Sequence, residues 1–164
     1  MKKYEFTGET KRVELWNRTA TLHRIKATVE FGFVKVGELG GWIEKEENLS
    51  HEGKAWVWGN AKVWGNAKVC GDAKVWGNAN VCGNAEVFLA SHVLVMGSVG
   101  SRNDFTTFFR DKDNEITVKC GCFLGKIDKF LEKVTQTHGN NKYALVYRAA
   151  VEVAKLQIEL TERK

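Results

Sequence analysis

The sequence predicts a mainly β chain organised around a short, three-sided coil of parallel strands. The first observation is a six-residue period. Alanine recurs at Ala55, Ala61, Ala67, Ala73, Ala79 and Ala85, with valine two residues later at Val57, Val63, Val69, Val75, Val81 and Val87. Glycine at 59, 65, 71, 77 and 83 is each time followed by asparagine or aspartate. The second is the absence of proline beside 16 glycines, which suits tight turns at regular intervals. The third is that both flanks of the repeat follow other periods.

Residues 1–36 read as an N-terminal β cap. Ile25, Ala27, Val29 and Phe31 alternate with Arg24, Lys26, Thr28 and Glu30, as in a half-buried strand or hairpin. Such a hairpin would cover the first coil, whose open edge would otherwise invite pairing with other chains. Arg24 and Lys26 then project together and are candidates for holding a phosphate or carboxylate.

Residues 37–100 read as the coil. An alanine and a valine two apart on an extended strand share a face, so both turn inward. Glycine with asparagine or aspartate tolerates the left-handed backbone of a corner. One strand and one corner per six residues close a three-sided turn in eighteen, and successive turns stack at about 4.8 Å. Leu39 falls in the valine register, Gly41 and Gly53 in the glycine register and Asn48 in the asparagine register. Beyond Val87 only Ser91 and Val93 keep step, so about three coils are expected, ending near Met96.

Residues 101–164 read as a small ββαα module. Phe105–Phe109 and Ile116–Cys122 are strand-like around a turn at Arg110–Asn114. Ile127, Phe130, Leu131 and Val134 have helical spacing, stopped at His138-Gly139. Asn140 or Asn141 caps a second helix with an apolar stripe from Tyr143 to Ile158.

Composition narrows the function classes. With 43% hydrophobic and 27% charged residues the chain is expected to be soluble and globular. No apolar run reaches the roughly 20 residues of a membrane span, and the N-terminus lacks a secretory pattern, so a cytoplasmic setting without membrane contact is expected. The four cysteines are then thiols. Cys120 and Cys122 with His138 offer three zinc ligands, but the usual cysteine spacing and a fourth ligand are missing, and buried structural thiols explain the cysteines. No cofactor is expected. The net charge of +5 favours anionic partners without naming one.

Eighteen-residue spacing stacks Trp58 over Trp76, Trp56 over Lys74 and Trp64 over Cys82, all turned outward. Such indoles read as an inter-coil ladder, a subunit interface, or a stacking platform for a flat ligand. Lys62, Lys68 and Lys74 fall on three successive faces and ring the coil. Tracking a nucleic-acid backbone needs a contiguous strip, so extended nucleic-acid binding is not expected.

Residues 55–88 resemble the hexapeptide-repeat, left-handed parallel β-helix proteins. The stretch Gly40-Gly41-Trp42-Ile43-Glu44, with Asn48-Leu49-Ser50, Gly53 and Trp56-Val57, is similar to hexapeptide proteins of phages and prophages. In these a Leu-x-Arg-Ile-x-Ala segment, here Leu22–Ala27, precedes the repeats. The tail from Cys120 to Arg148 also looks like a phage-associated module. The resemblance implies a left-handed coil, frequent trimerisation and a bacterial host cytoplasm. Many hexapeptide proteins are acyltransferases with a histidine base. His51 falls in the inward valine register and His92 is expected to point outward as the repeat fades. Neither has a legible orienting partner or pocket.

The leading expectation is a non-enzymatic, phage-type binding protein. It would be a homotrimer holding a small anionic ligand, a nucleotide defence signal as one instance, in pockets between subunits formed by Trp56, Trp58, Trp64, Trp76, Arg24 and Lys26. The alternatives are a module that docks a host or phage protein through residues 101–164, and an acyltransferase working through His92 or His51.

Overall fold

The computed structural model describes residues 1–15 and 17–160, so residue 16 of the expected cap and residues 161–164 of the expected C-terminal module lie outside the described residues. With 41% strand and 21% helix the chain is mainly β, followed by two C-terminal helices, and no sheet closes into a barrel. None of these helices is long and apolar enough to cross a membrane.

Strands β1 (Tyr4–Glu14) and β2 (Thr19–Ala27) form an antiparallel hairpin, and β2 continues antiparallel onto β3 (Leu39–Ile43). The hairpin expected from the alternation is therefore present. It ends at Ala27; Phe31 lies in a turn bridged to Val34.

Six two-residue strands follow: β4 (Trp56–Val57), β5 (Lys62–Val63), β6 (Lys68–Val69), β7 (Lys74–Val75), β8 (Asn80–Val81) and β9 (Glu86–Val87). They pair parallel in three ladders, β3-β5-β8, β4-β7 and β6-β9, the last continued by a bridge between Leu49 and Val69. Within the clean repeat the partners are eighteen residues apart, as in Trp56 with Lys74 and Lys68 with Glu86. All twelve repeat alanines and valines are at most 1% exposed. The inward assignment of those positions holds throughout.

Three expectations about the coil are corrected. In the first turn Trp42 pairs with Lys62 and Leu49 with Val69, twenty residues apart, because two extra residues lie between Leu49 and Ala55. The valine register there is filled by Ile43 and Leu49, while Leu39 is 47% exposed. At the corners only the glycine is left-handed, with φ between +59° and +68°; the asparagines and Asp72 are not. At Gly71 the requirement is also steric, since a Cβ would sit 2.8 Å from the Phe88 carbonyl oxygen. Finally, the coil stops at Val87, not near Met96. After a short 3-10 turn at Ala90–His92, β10 (Val93–Val99) leaves the ladders and pairs antiparallel with β11 (Asp104–Arg110).

The C-terminal sheet runs β10-β11-β12-β13, with β12 at Ile116–Cys120 and β13 at Phe123–Lys126. It thus has four strands, not two, and begins before the expected boundary at residue 101. Helices α1 (Ile127–His138) and α2 (Lys142–Gln157) cover it. Gly139 ends α1 with a left-handed φ of 61°, and the Asn141 side chain caps α2 by accepting from Ala144 N at 3.1 Å.

Strand β11 is the wall shared by two cores. Its alternation sends Phe109 into the core of the hairpin and coil, and Phe108 into the core beneath the helices. The same segment closes the end of the coil. Asn80 N donates to Thr107 Oγ1, Lys112 N to Asn84 O, and Arg110 Nη1 to Glu86 O. Last-rung backbone groups that would face solvent are thereby paired. Asp111 locks this seam, accepting from Asp113 N, Glu115 N, Thr117 Oγ1 and Lys126 Nζ.

Candidate functional site

The outward tryptophans do not form one surface. Trp56 is fully buried, with Tyr4 and Phe31 of the N-terminal segment packed edge-on against it. Its expected place on an open face is corrected: the hairpin covers it. Trp64 is 4% exposed, and Cys82 one rung on is sealed under the C-terminal sheet near Lys119, where burial pushes its thiol up to about 12. Among the described residues only Trp58 and Trp76 meet as an accessible tryptophan pair, their rings 5.3 Å apart and Trp76 55% exposed. Phe33 is 87% exposed, with Lys74 Nζ 5.8 Å above its ring.

The two basic candidates of the hairpin are already engaged. Arg24 pairs with Glu9 at 3.2 Å, donates to Gly40 O and lies over the Trp42 ring; Lys26 pairs with Glu5 at 3.4 Å. Their opposite charges come from β1, whose alternation places Glu5 and Glu9 beside them.

The histidines take structural positions. His51 lies outside the valine register, stacked on Tyr4 at 4.1 Å, and its Nδ1 accepts from Lys3 N. His92 does not point outward. It is fully buried, and its Nδ1 accepts from Phe88 N and Leu89 N at 3.2 Å, holding the turn that ends the coil. Burial lowers the pKa of both rings.

The residues that the structure does bring together are Cys120, Cys122 and His138. All three line a cavity of about 140 Å³ between the open end of the sheet and α1. The turn after β12, left-handed at Gly121, swings Cys122 to the mouth, while helical spacing on α1 aims Phe130, Lys133, Thr137 and His138 at the same space. Tyr147 of α2 forms the back wall, stacked on His138 at 5.9 Å and edge-on to Phe130 at 5.6 Å. Gly100 lets it in: a Cβ there would overlap the Tyr147 hydroxyl. Burial, with Cys120 adding to it, pushes that hydroxyl up to about 12, so it is a neutral donor at physiological pH. Cys120 Sγ accepts from Thr106 Oγ1 at 3.3 Å.

The rim is cationic. Arg102 and Lys133 both reach the mouth, and among the described residues neither makes a hydrogen bond or an ion pair. One acid, Asp104, lines the same cavity, and its Oδ1 accepts from Phe105 N. Although two thiols and an imidazole share the space, no three histidine, cysteine or acidic side chains among the described residues converge as a metal would require. The sequence grouped Cys120, Cys122 and His138 as weak metal candidates, and the structure places all three around one cavity. Arg102 and Lys133 carried no motif and Tyr147 read only as part of the apolar stripe of the second helix, because the three meet only when the last strands and both helices pack.

No protein-family model matches the chain, and no curated protein matches it.

Proposed function

We propose that the chain is a non-enzymatic binding protein of phage type, built on a left-handed parallel β-helix, and that it holds a small anionic ligand in the C-terminal cavity. One observation carries the reading: two cations without acidic partners, Arg102 and Lys133, stand at the mouth of an aromatic-walled cavity that also presents the Tyr147 hydroxyl. Anions bind where charge-assisted donors are unpaired, and flat groups bind against aromatic walls. At about 140 Å³ the cavity is smaller than the roughly 300–1,000 Å³ of drug-sized sites, so it takes a phosphate head or a single ring, not a whole nucleotide. The parallel ladders at eighteen-residue spacing support the coil, and Trp58, Trp76 and Phe33 supply a face on which three copies would meet.

The test is to denature purified protein, identify released anions by mass spectrometry, and titrate inorganic phosphate and nucleoside monophosphates calorimetrically. Arg102→Ala and Lys133→Ala are expected to weaken binding roughly tenfold each, about 1.4 kcal/mol. No released anion together with no heat from any of these probes removes the proposal.

A further inference from the structure

Helix α2 is apolar on two sides. Its inner side, with Ala144, Tyr147, Ala150, Val151 and Ala154, is buried in the module core. Its outer side carries Leu145, Ala149, Val153 and Leu156, with Leu160 just beyond the helix. Steps of four, four, three and four residues keep these in one stripe. Leu145 is 61% exposed and Leu156 is 88% exposed. A surface helix ordinarily turns charge to this side, and a continuous apolar row marks a contact.

We propose that this stripe is the seat of a two-fold, antiparallel contact with a second copy of the chain. A two-fold interface requires a patch that is complementary to itself when turned end for end. Reversed about residues 150–151, the stripe sets Leu145 against Leu156 of the second copy and brings Ala149 to within one residue of Val153. The small Ala149 lets the backbones approach. The flanking charges agree with the same register. Arg148 donates to the neutral oxygens of Asn140, Thr135 and Gly139, so no carboxylate meets its charge. Glu152, one turn on along the same flank, is held only by Lys155 at 3.6 Å. Antiparallel packing brings like flanks together and sets Arg148 beside Glu152 of the second copy, whereas parallel two-fold packing brings opposite flanks together and gives Arg148 no such partner. The stripe offers on the order of half the roughly 800 Å² per partner of a standard interface, so the pairing depends on concentration.

Sedimentation equilibrium of the full chain, from micromolar to submillimolar, tests this. A single copy is expected to double its mass across that range, and a trimer, which would carry three stripes, to reach at least twice its mass. Leu145→Glu and Leu156→Lys, both at exposed positions, are each expected to abolish the doubling with unchanged circular dichroism. The double variant restores it, because each new glutamate meets a lysine of the second copy. A wild-type mass that never doubles overturns the proposal. So does doubling that survives Leu156→Lys, or a double variant that stays at the lower mass. Binding to phosphatidylcholine vesicles without doubling would assign the stripe to a lipid surface and overturn it equally.

Discussion

The coil and the C-terminal module solve the same packing problem with opposite materials. Inside the coil the inward positions are alanine and valine from Ala55 to Val87, with Ile43 and Leu49 in the first turn, all at most 1% exposed. Inside the module, Phe108, Phe123, Phe130 and Tyr147 meet at steep angles, and rings of that size leave a cavity at the edge of the sheet. A short repeat gives uniform packing because each residue meets a copy of its own environment one rung away. Irregular large side chains cannot tile so closely, and the gap they leave has chemistry around it. The lesson is that the conspicuous, repetitive part of this sequence packs uniformly, and the cavity forms in the part without a repeat.

The largest expected effects fall on the wall between the two regions. Phe108→Ala and Phe109→Ala should each cost about 3–5 kcal/mol in denaturant unfolding, as truncations of fully buried rings do. Hydrogen exchange should separate them: loss of Phe109 loosens coil amides, and loss of Phe108 loosens amides of the helices. Identical exchange patterns would break the division into two cores.

Next comes the seam at Asp111. Burial would raise its pKa, but the hydrogen bonds from Lys126, Thr117 and two backbone amides outweigh that and hold the carboxyl below its usual value. Its stabilisation is therefore present above the unfolded pKa of about 4 and is lost as the pH falls through the lower folded value. Asp111→Asn should cost about 1–3 kcal/mol at pH 7 and flatten the acid limb of the stability curve. An unchanged acid limb would show that the seam contributes nothing to the junction.

The smallest effect sharpens the view of the coil surface. Within a single copy, Trp76→Ala should change stability by no more than about 0.5 kcal/mol, since that residue is 55% exposed there. Trp56→Ala, at another outward position but under the hairpin, should cost several kcal/mol more. Equal losses, measured in urea, would mean that the hairpin cover contributes nothing to holding Trp56.

Much of the fold was legible because its signals are local. The six-residue period fixed which side chains turn inward, and helix capping at Asn141 and Gly139 was readable from residue type alone. The first turn misled because two inserted residues shift its register without leaving a mark in composition, which is why Leu39 and His51 fall out of step. His92 misled because alternation says outward, while the turn it occupies wraps the side chain under the last strands.

By itself the sequence determined the inner lining of the coil, the place of its corners and the existence of two terminal helices, since each depends on neighbours within a few residues. Which outward side chain meets water was settled by tertiary structure alone. Trp64 and Trp76 share one short-range pattern, each between a repeat valine and a corner glycine, and differ only in what packs over them: one is 4% exposed and the other 55%. The cavity is of the same kind: Arg102, Cys120, Lys133 and Tyr147 are spread over 46 positions of chain and share a site only because two helices close over a sheet.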